Sequence, residues 1–175
     1  MHALNVIVNM SLILPYQFEP ESDPENIDEE DRVEPVQARL LKDVLQWCTC
    51  GNCDKMPTEV ENICCNEIQK VCQRMMQIAD PPTYMVHHPG FEANCLNPYT
   101  LQNINNIYKA DYGRVRRRTE EERFHYVAYR SFVSWCWGYL GQHVRVVILS
   151  CVVRQICQHF PDPAGQYAGF RPPLD

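Results

Sequence analysis

Three cysteines within six residues constrain this chain more than any other feature of its sequence. Cys48, Cys50 and Cys53 form overlapping C-x-C and C-x-x-C motifs, and Gly51 between them lets the backbone turn tightly. Zinc–sulfur bonds of about 2.3 Å need thiolates that lie close together, and short cysteine spacings supply them. The sequence therefore predicts one half of a zinc site at residues 48–53.

The adjacent pair Cys64 and Cys65 supplies the second half of the predicted site. We expect both residues near the start of a helix, where neighbouring side chains diverge by about 100°. Two sulfurs arranged in that way suit two metal ions better than one. Cys72 would lie about 10.5 Å further along the same helix, so it cannot share an ion with Cys65 unless the helix breaks.

The rest of the sequence favours reduced thiols over disulfide bonds. The apolar start Met1–Leu14 has no basic residue before it and no small-residue cleavage site after it, so it is a poor secretory signal. Because thiols stay reduced in the cytoplasm, we expect a cytoplasmic protein whose ten cysteines mostly bind metal. Cys136 and Cys157 lie in apolar helical patterns and are predicted to be small buried residues. No stretch approaches the roughly 18 apolar residues of a membrane span.

Charge divides the chain into two predicted regions. Residues 19–34 contain nine acidic side chains and one basic side chain, so residues 1–35 are predicted to form an acidic, proline-containing tail. A docking segment for a basic partner is the alternative. Residues 36–175 then form the zinc-binding domain.

Hydrophobic periodicity predicts a mostly α fold, compact and helix-rich, with a small α+β fold as the alternative. Thr119 with Glu122 forms a capping box ahead of the strongest helix, which we expect in the centre of the core because it is apolar over most of its circumference. Tyr129 in that helix is predicted to be a core residue. The first two predicted helices cover residues 36–45 and residues 58–78, the second with a capping box at Thr58. A third helix is opened by Asn97-Pro98 and closed by Gly113, a fourth runs from Thr119 to Gly138 or Gly141, and a fifth runs from Ser150 to Phe160. Residues 144–149 are a predicted strand.

An ordered series of motifs runs through residues 36–172: Trp47-Cys48-x-Cys50-Gly51-Asn52-Cys53, Glu61 before Cys64-Cys65, Ala128-Tyr129-Arg130, Ser150-Cys151, Phe160-Pro161 and Gly165-Gln166-Tyr167 with Gly169-Phe170. This series resembles the intracellular C-terminal ballast domain of the P2X purinoceptor subtype seven. The resemblance implies a mostly helical fold organised around a dinuclear zinc–thiolate site. Since the channel part is absent, we expect no ion-channel activity.

The resemblance also implies the ligands of two zinc ions, which one bridging thiolate would connect. Cys151 is linked to the other cysteines by the resemblance alone. The seventh ligand is Cys72 by gapless counting, but a second alignment puts Tyr84 where relatives usually have cysteine. In that case the alternatives are His87, His88 and Cys95. The implied set is Cys48, Cys50, Cys53, Cys64, Cys65, Cys72 and Cys151.

The family resemblance further implies a guanine-nucleotide site, for GDP or GTP, near His125, Tyr126 and Tyr129. Only Tyr129 matches the family, whereas its neighbouring basic positions are His125, Tyr126, Val153 and Asp162 here. A phosphate site that loses cations loses affinity, so we expect weak nucleotide binding.

Three functions remain open from the sequence. We favour a non-catalytic, regulatory interaction module with a protein partner, because two ions closed by thiolates leave no position for a catalytic water. Nucleic-acid binding through Arg114–Arg118 is the alternative, which the net charge of −6 disfavours. An enzyme is least favoured, since no spacing pairs a cysteine nucleophile with one particular histidine among His87, His88, His125, His143 and His159.

Overall fold

The computed structural model of the protein describes residues 39–112, 119–138, 140 and 146–161. The predicted acidic tail 1–35, the Arg114–Arg118 patch and the motif that begins at Gly165 lie outside these residues. Gly113 and Gly141, two of the predicted helix ends, also lie outside them.

All regular secondary structure in the described part of the chain is helical, which confirms the mostly α prediction. Of the predicted strand 144–149, residues 146–149 have no regular structure and residues 144–145 are not described. No helix of the described residues is long and apolar enough to cross a membrane. The α-helices are α1 (Gln69–Met75), α2 (Pro89–Phe91), α3 (Pro98–Tyr112), α4 (Glu120–Trp137) and α5 (Ser150–His159). A π-helix covers Glu92–Leu96, and short 3-10 turns cover Arg39–Leu41, Val44–Gln46, Glu59–Glu61, Cys65–Glu67 and Met85–His87.

Helix α4 starts and ends as its local sequence signals predict. At the start of α4, Glu122 donates its backbone N–H to the Thr119 hydroxyl at 3.2 Å, and Thr119 donates its N–H to the Glu122 carboxylate at 3.0 Å, as the capping box predicts. Gly138 ends α4 in a left-handed conformation with φ of +74°. Helix α5 begins at Ser150 and ends at His159, close to its predicted bounds, and Leu149 is its N-cap residue.

The predicted amphipathic helix over residues 36–45 is wrong within the described residues. Two separate 3-10 turns replace it, and Asp43 caps the second turn by accepting the Leu45 N–H at 3.0 Å. The predicted apolar face is not buried, since Leu41 is 90% exposed and Leu45 is 85% exposed. Without tertiary packing for these leucines, helical propensity alone does not hold a short helix.

The predicted helix over residues 58–78 is also wrong, because the chain is extended at two points within it. Cys64 has φ −83° and ψ 151°, and Ile68 has φ −100° and ψ 112°, so α-helix begins only at Gln69. Thr58 does not cap a helix, since its hydroxyl donates to the Glu61 carboxylate at 2.5 Å instead. As a result, the side chains before and after each break do not follow one continuous helical pattern.

Helix α4 lies in the centre of the core, and α1, α3, α5 and the π-helix pack against it. Phe132 of α4 is fully buried and meets the Phe91 ring edge-on, with 6.1 Å between ring centroids. Tyr129 packs against this core from its margin, as predicted. The buried cysteines belong to the same cluster of core residues, so the metal-ligating side chains predicted from the sequence lie inside the fold.

Candidate metal centre

Six of the seven predicted metal ligands form two groups that share one residue. None of the cysteines of the described chain is in a disulfide bond. Within each group, all the sulfur atoms lie within 4.8 Å of one another. Cys50 belongs to both groups. The first group is Cys48, Cys50, Cys53 and Cys64, and the second is Cys50, Cys65 and Cys151.

The spacing of the sulfur atoms matches a tetrahedral metal–thiolate centre. The Cys50 sulfur lies 3.7 Å from the Cys48 sulfur and 3.7 Å from the Cys53 sulfur. A tetrahedron with metal–sulfur bonds of about 2.3 Å has sulfur atoms about 3.8 Å apart. The first group can therefore enclose an ion with little rearrangement.

The loop over residues 48–53 shapes the first group through its backbone. Gly51 has a φ of +69°, a conformation that favours glycine, and this turns the chain between Cys50 and Cys53. The Asn52 N–H points at the Cys50 sulfur at 3.4 Å, and the Asn52 side chain donates to the Cys50 carbonyl at 2.8 Å. An N–H group aimed at sulfur stabilises a thiolate, which is the form that binds metal.

The Cys64-Cys65 pair divides between the two groups, as the sequence predicted, although not through helical divergence. The extended backbone at Cys64 directs its sulfur to the first group, whereas the 3-10 turn directs the Cys65 sulfur to the second group. Glu67 fixes this turn by accepting the Cys64 N–H at 2.9 Å. Glu67 in turn forms a two-point ion pair with Arg39, at 3.0 and 2.8 Å.

Ser150 docks the start of α5 onto both cysteine segments and so places Cys151. The Ser150 N–H donates to the Ile63 carbonyl at 3.1 Å, directly before Cys64. Its hydroxyl accepts the Asp54 N–H at 2.9 Å and donates to the Asp54 carbonyl, directly after Cys53. The sequence signal at Ser150 is ambiguous, because serine is equally typical of a helix N-cap.

The crowded thiols have opposite pKa shifts. Hydrogen bonds from Cys151 and then Cys53 hold the pKa of Cys50 far below its usual range. Hydrogen bonds with Cys151 and Cys50, together with burial, raise the pKa values of Cys53 and Cys65. Several buried thiolates cannot coexist at such distances without a compensating charge. A metal cation in each group would supply that charge, so the donor set is compatible with metal binding.

Cys72, the seventh predicted ligand, belongs to neither group. Its thiol donates to the Cys65 carbonyl at 3.6 Å, and burial raises its pKa. Cys72 thus contacts the backbone of Cys65, but its sulfur lies in neither of the two groups. A role for Cys72 as a ligand stays a prediction.

The alternative ligands also lie outside both groups. The His87 ring contacts the Tyr84 ring edge-on, with 5.3 Å between centroids. His88 is buried; its Nδ1 accepts the Gly90 N–H at 2.9 Å, and burial, with the nearby Arg74, lowers its pKa. Burial likewise raises the pKa of Cys95. None of these side chains is therefore a fourth ligand of the second group in this structure.

The sequence predicts three residues that bind a nucleotide, and each of them contacts a neighbouring group of the protein. His125 donates from Nδ1 to the Phe160 carbonyl at 2.8 Å, and the Tyr129 hydroxyl lies 3.5 Å from the Cys157 sulfur. The Tyr126 hydroxyl accepts from Arg130 at 2.8 Å. Val153, another of the positions considered, is 1% exposed, and Asp162 is outside the described residues. Sequence reasoning also missed that Cys157 meets His125, because the two residues lie on different helices.

Comparison with known proteins identifies the family of this chain. A family model for the P2X purinoreceptor 7 intracellular domain matches residues 4–171. The match includes most of the segment predicted as an acidic tail. A P2X purinoceptor 7 from Rattus norvegicus is 24% identical over an alignment of 137 residues, and the match covers 75% of this chain and 21% of that receptor. The chain thus spans about a fifth of the length of the curated relative it matches. It belongs to the P2X purinoreceptor 7 intracellular domain family.

Proposed function

We propose that this chain is a non-catalytic interaction module held together by two zinc ions that share the Cys50 thiolate. The observation that carries the proposal is the membership of Cys50 in both sulfur groups. A single sulfur can bridge two ions, so two groups that converge on Cys50 support a pair of ions that share its thiolate.

Zinc is the metal that the donor set favours. Every member of both groups is a cysteine, and thiolate-only sites of tetrahedral spacing select zinc or iron–sulfur chemistry over hard cations. The first group supplies the complete shell of four thiolates that is typical of a structural zinc. In the second group three thiolates bind the ion, and its fourth ligand comes from outside the group.

The ions would act as cross-links between segments that are distant in the sequence. The first ion connects the loop at residues 48–53 to Cys64, and the second connects Cys65 to α5 through Cys151. Structural zinc contributes about 10–16 kcal/mol of binding free energy in small domains, and this energy is also folding energy. That contribution is comparable with the whole net stability of a typical domain, about 5–15 kcal/mol.

We propose that an exposed surface of this chain, which includes Leu41 and Leu45, binds a protein partner. Leu41 and Leu45 lie on neighbouring turns just before the metal loop and are almost fully exposed. These two exposed leucines, four residues apart in the sequence, are the apolar side chains that we propose for the contact with another protein. Because the turns lead directly into Trp47 and Cys48, zinc binding would hold this surface in place.

Native mass spectrometry with elemental analysis tests the proposal. Untagged protein should carry two zinc ions per chain, and a chelator should remove both together with the cooperative thermal unfolding transition. Metal-free protein that keeps its melting temperature would contradict a structural role, and one ion per chain would contradict the shared thiolate. A Leu41→Ser and Leu45→Ser double variant should keep both ions and its melting temperature. If this variant no longer binds a protein that the unmodified chain binds, the two leucines belong to the binding surface.

A further inference from the structure

A second cluster of reactive groups lies away from the sulfur groups, between α4 and the end of α5. The half-buried Cys157 sulfur is 3.5 Å from the Tyr129 hydroxyl and 3.9 Å from His125 Nε2. The His125 and Tyr129 rings meet edge-on, with 4.8 Å between centroids. Cys157 is thus flanked by an imidazole and a phenol, and it belongs to neither sulfur group.

The hydrogen bond at the other ring nitrogen decides which role His125 can play. The Phe160 carbonyl is only an acceptor, so the Nδ1 atom 2.8 Å away must carry a proton. In the neutral imidazole Nε2 is then the acceptor atom of the ring, and it lies 3.9 Å from the Cys157 sulfur. A thiol beside a base that a third group orients is the arrangement of an activated nucleophile.

We propose that Cys157 is a reactive thiol, activated by His125 and Tyr129, and that hydrogen peroxide modifies it to a sulfenic acid. His125 Nε2 takes the thiol proton, and the Tyr129 hydroxyl donates a hydrogen bond to the thiolate. Distances of this kind in a resting site shorten when the reacting complex forms.

The reaction balances without any further reagent. The Cys157 thiolate attacks one oxygen of the peroxide, the S–O bond forms and the O–O bond breaks. The leaving hydroxide takes the proton held on His125 and departs as water. The sulfur loses two electrons and the peroxide gains them, so that thiol and peroxide give sulfenic acid and water.

Peroxide fits this position better than a bulkier oxidant. Cys157 is only half-buried, and a small neutral molecule needs less exposed surface than a peptide-sized disulfide to reach its sulfur. The chemistry also differs from that of the sulfur groups, where bound zinc would occupy the thiolates and slow their oxidation.

Alkylation kinetics on the full zinc-loaded chain test the proposal. Limiting iodoacetamide, followed by peptide mass mapping, should label Cys157 faster than Cys72, which is also half-buried but has no imidazole contact in its described surroundings. His125→Asn keeps a donor for the Phe160 carbonyl and removes the base, so it should slow labelling about tenfold at pH 7. Tyr129→Phe should slow it less. Equal labelling of Cys157 and Cys72, or an unchanged rate in His125→Asn, would overturn the proposal.

Two further measurements do not depend on the folding of any variant. The labelling rate of the unmodified chain should already rise near the ordinary pKa of histidine, about 6.5, rather than near that of a free thiol, about 8.5. Dimedone added after dilute peroxide should trap a sulfenic acid at Cys157 while the zinc content is unchanged. A rate that follows the ordinary thiol pKa, or dimedone adducts only on cysteines of the sulfur groups, would refute the assignment.

Discussion

Replacing the shared thiolate should affect this protein more than replacing any other cysteine. Cys50→Ser removes a ligand from both groups at once, leaving three sulfur atoms in the first and two in the second. Cys48→Ser leaves three in the first group and the second group intact. If each ion contributes about 10–16 kcal/mol, the loss of both exceeds the net stability of about 5–15 kcal/mol that a domain has. We therefore expect Cys50→Ser to bind no zinc and to lack a cooperative unfolding transition.

The assay is native mass spectrometry together with thermal unfolding, on both variants and one control. Cys136→Ser is the matched control, because Cys136 is also a buried cysteine, 8% exposed, but belongs to neither sulfur group. The control should keep both ions and cost about 1–3 kcal/mol for an unpaired buried hydroxyl. Cys48→Ser should keep one ion and melt between Cys50→Ser and the unmodified protein. If Cys50→Ser keeps two ions and its melting temperature, the shared-thiolate reasoning is refuted; if the two zinc-site variants behave alike, only the sharing is refuted.

Three smaller predictions follow from individual contacts. Gly90→Ala would put a Cβ atom 2.7 Å from Trp135 Cζ2, so urea unfolding should show a loss of about 1–3 kcal/mol; an unchanged midpoint would mean that the Trp135 ring shifts freely. Ser150→Ala removes both hydroxyl hydrogen bonds to Asp54, so one zinc ion should exchange faster with a chelator while the other does not; equal exchange would contradict the docking role. Calorimetric titration with GDP should show weak binding, because a buried Val153 offers no charge to phosphate; tight binding would show that other cations form the site.

Signals that act within a few residues were readable from the sequence, and those that depend on tertiary contacts were not. The capping box of Thr119 and Glu122 involves only neighbouring groups, so it predicted the start of α4 correctly. The break at Ile68 has no local signal, because it follows from the placement of the Cys64 and Cys65 sulfurs in two groups. Tertiary contacts can override the local helix propensity of a segment.

The candidate site shows the same limit. The loop cysteines lie close in sequence, so their spacing alone predicted that they would meet. Cys151 reaches them only because α5 docks through Ser150, and no spacing rule connects the two. The contact between His125 and Cys157 is of the same kind, since packing of α4 against α5 creates it and sequence separation cannot select one histidine among several.

Helix α5 connects the two kinds of thiol chemistry. Cys151 in its first turn joins the second sulfur group, and Cys157 lies about 9 Å further along the same helix, facing His125 of α4. A helix of ten residues behaves as a short rigid rod, so the contacts that fix its first turn also fix the position of its last. The ion pair between Arg154 and Asp54, at 3.0 Å, connects the middle of α5 to the residue that directly follows the loop at residues 48–53. If a second ion binds as proposed, it would help to fix the position of Cys157 at the other end of α5, and its loss would weaken the contact between the Cys157 sulfur and His125.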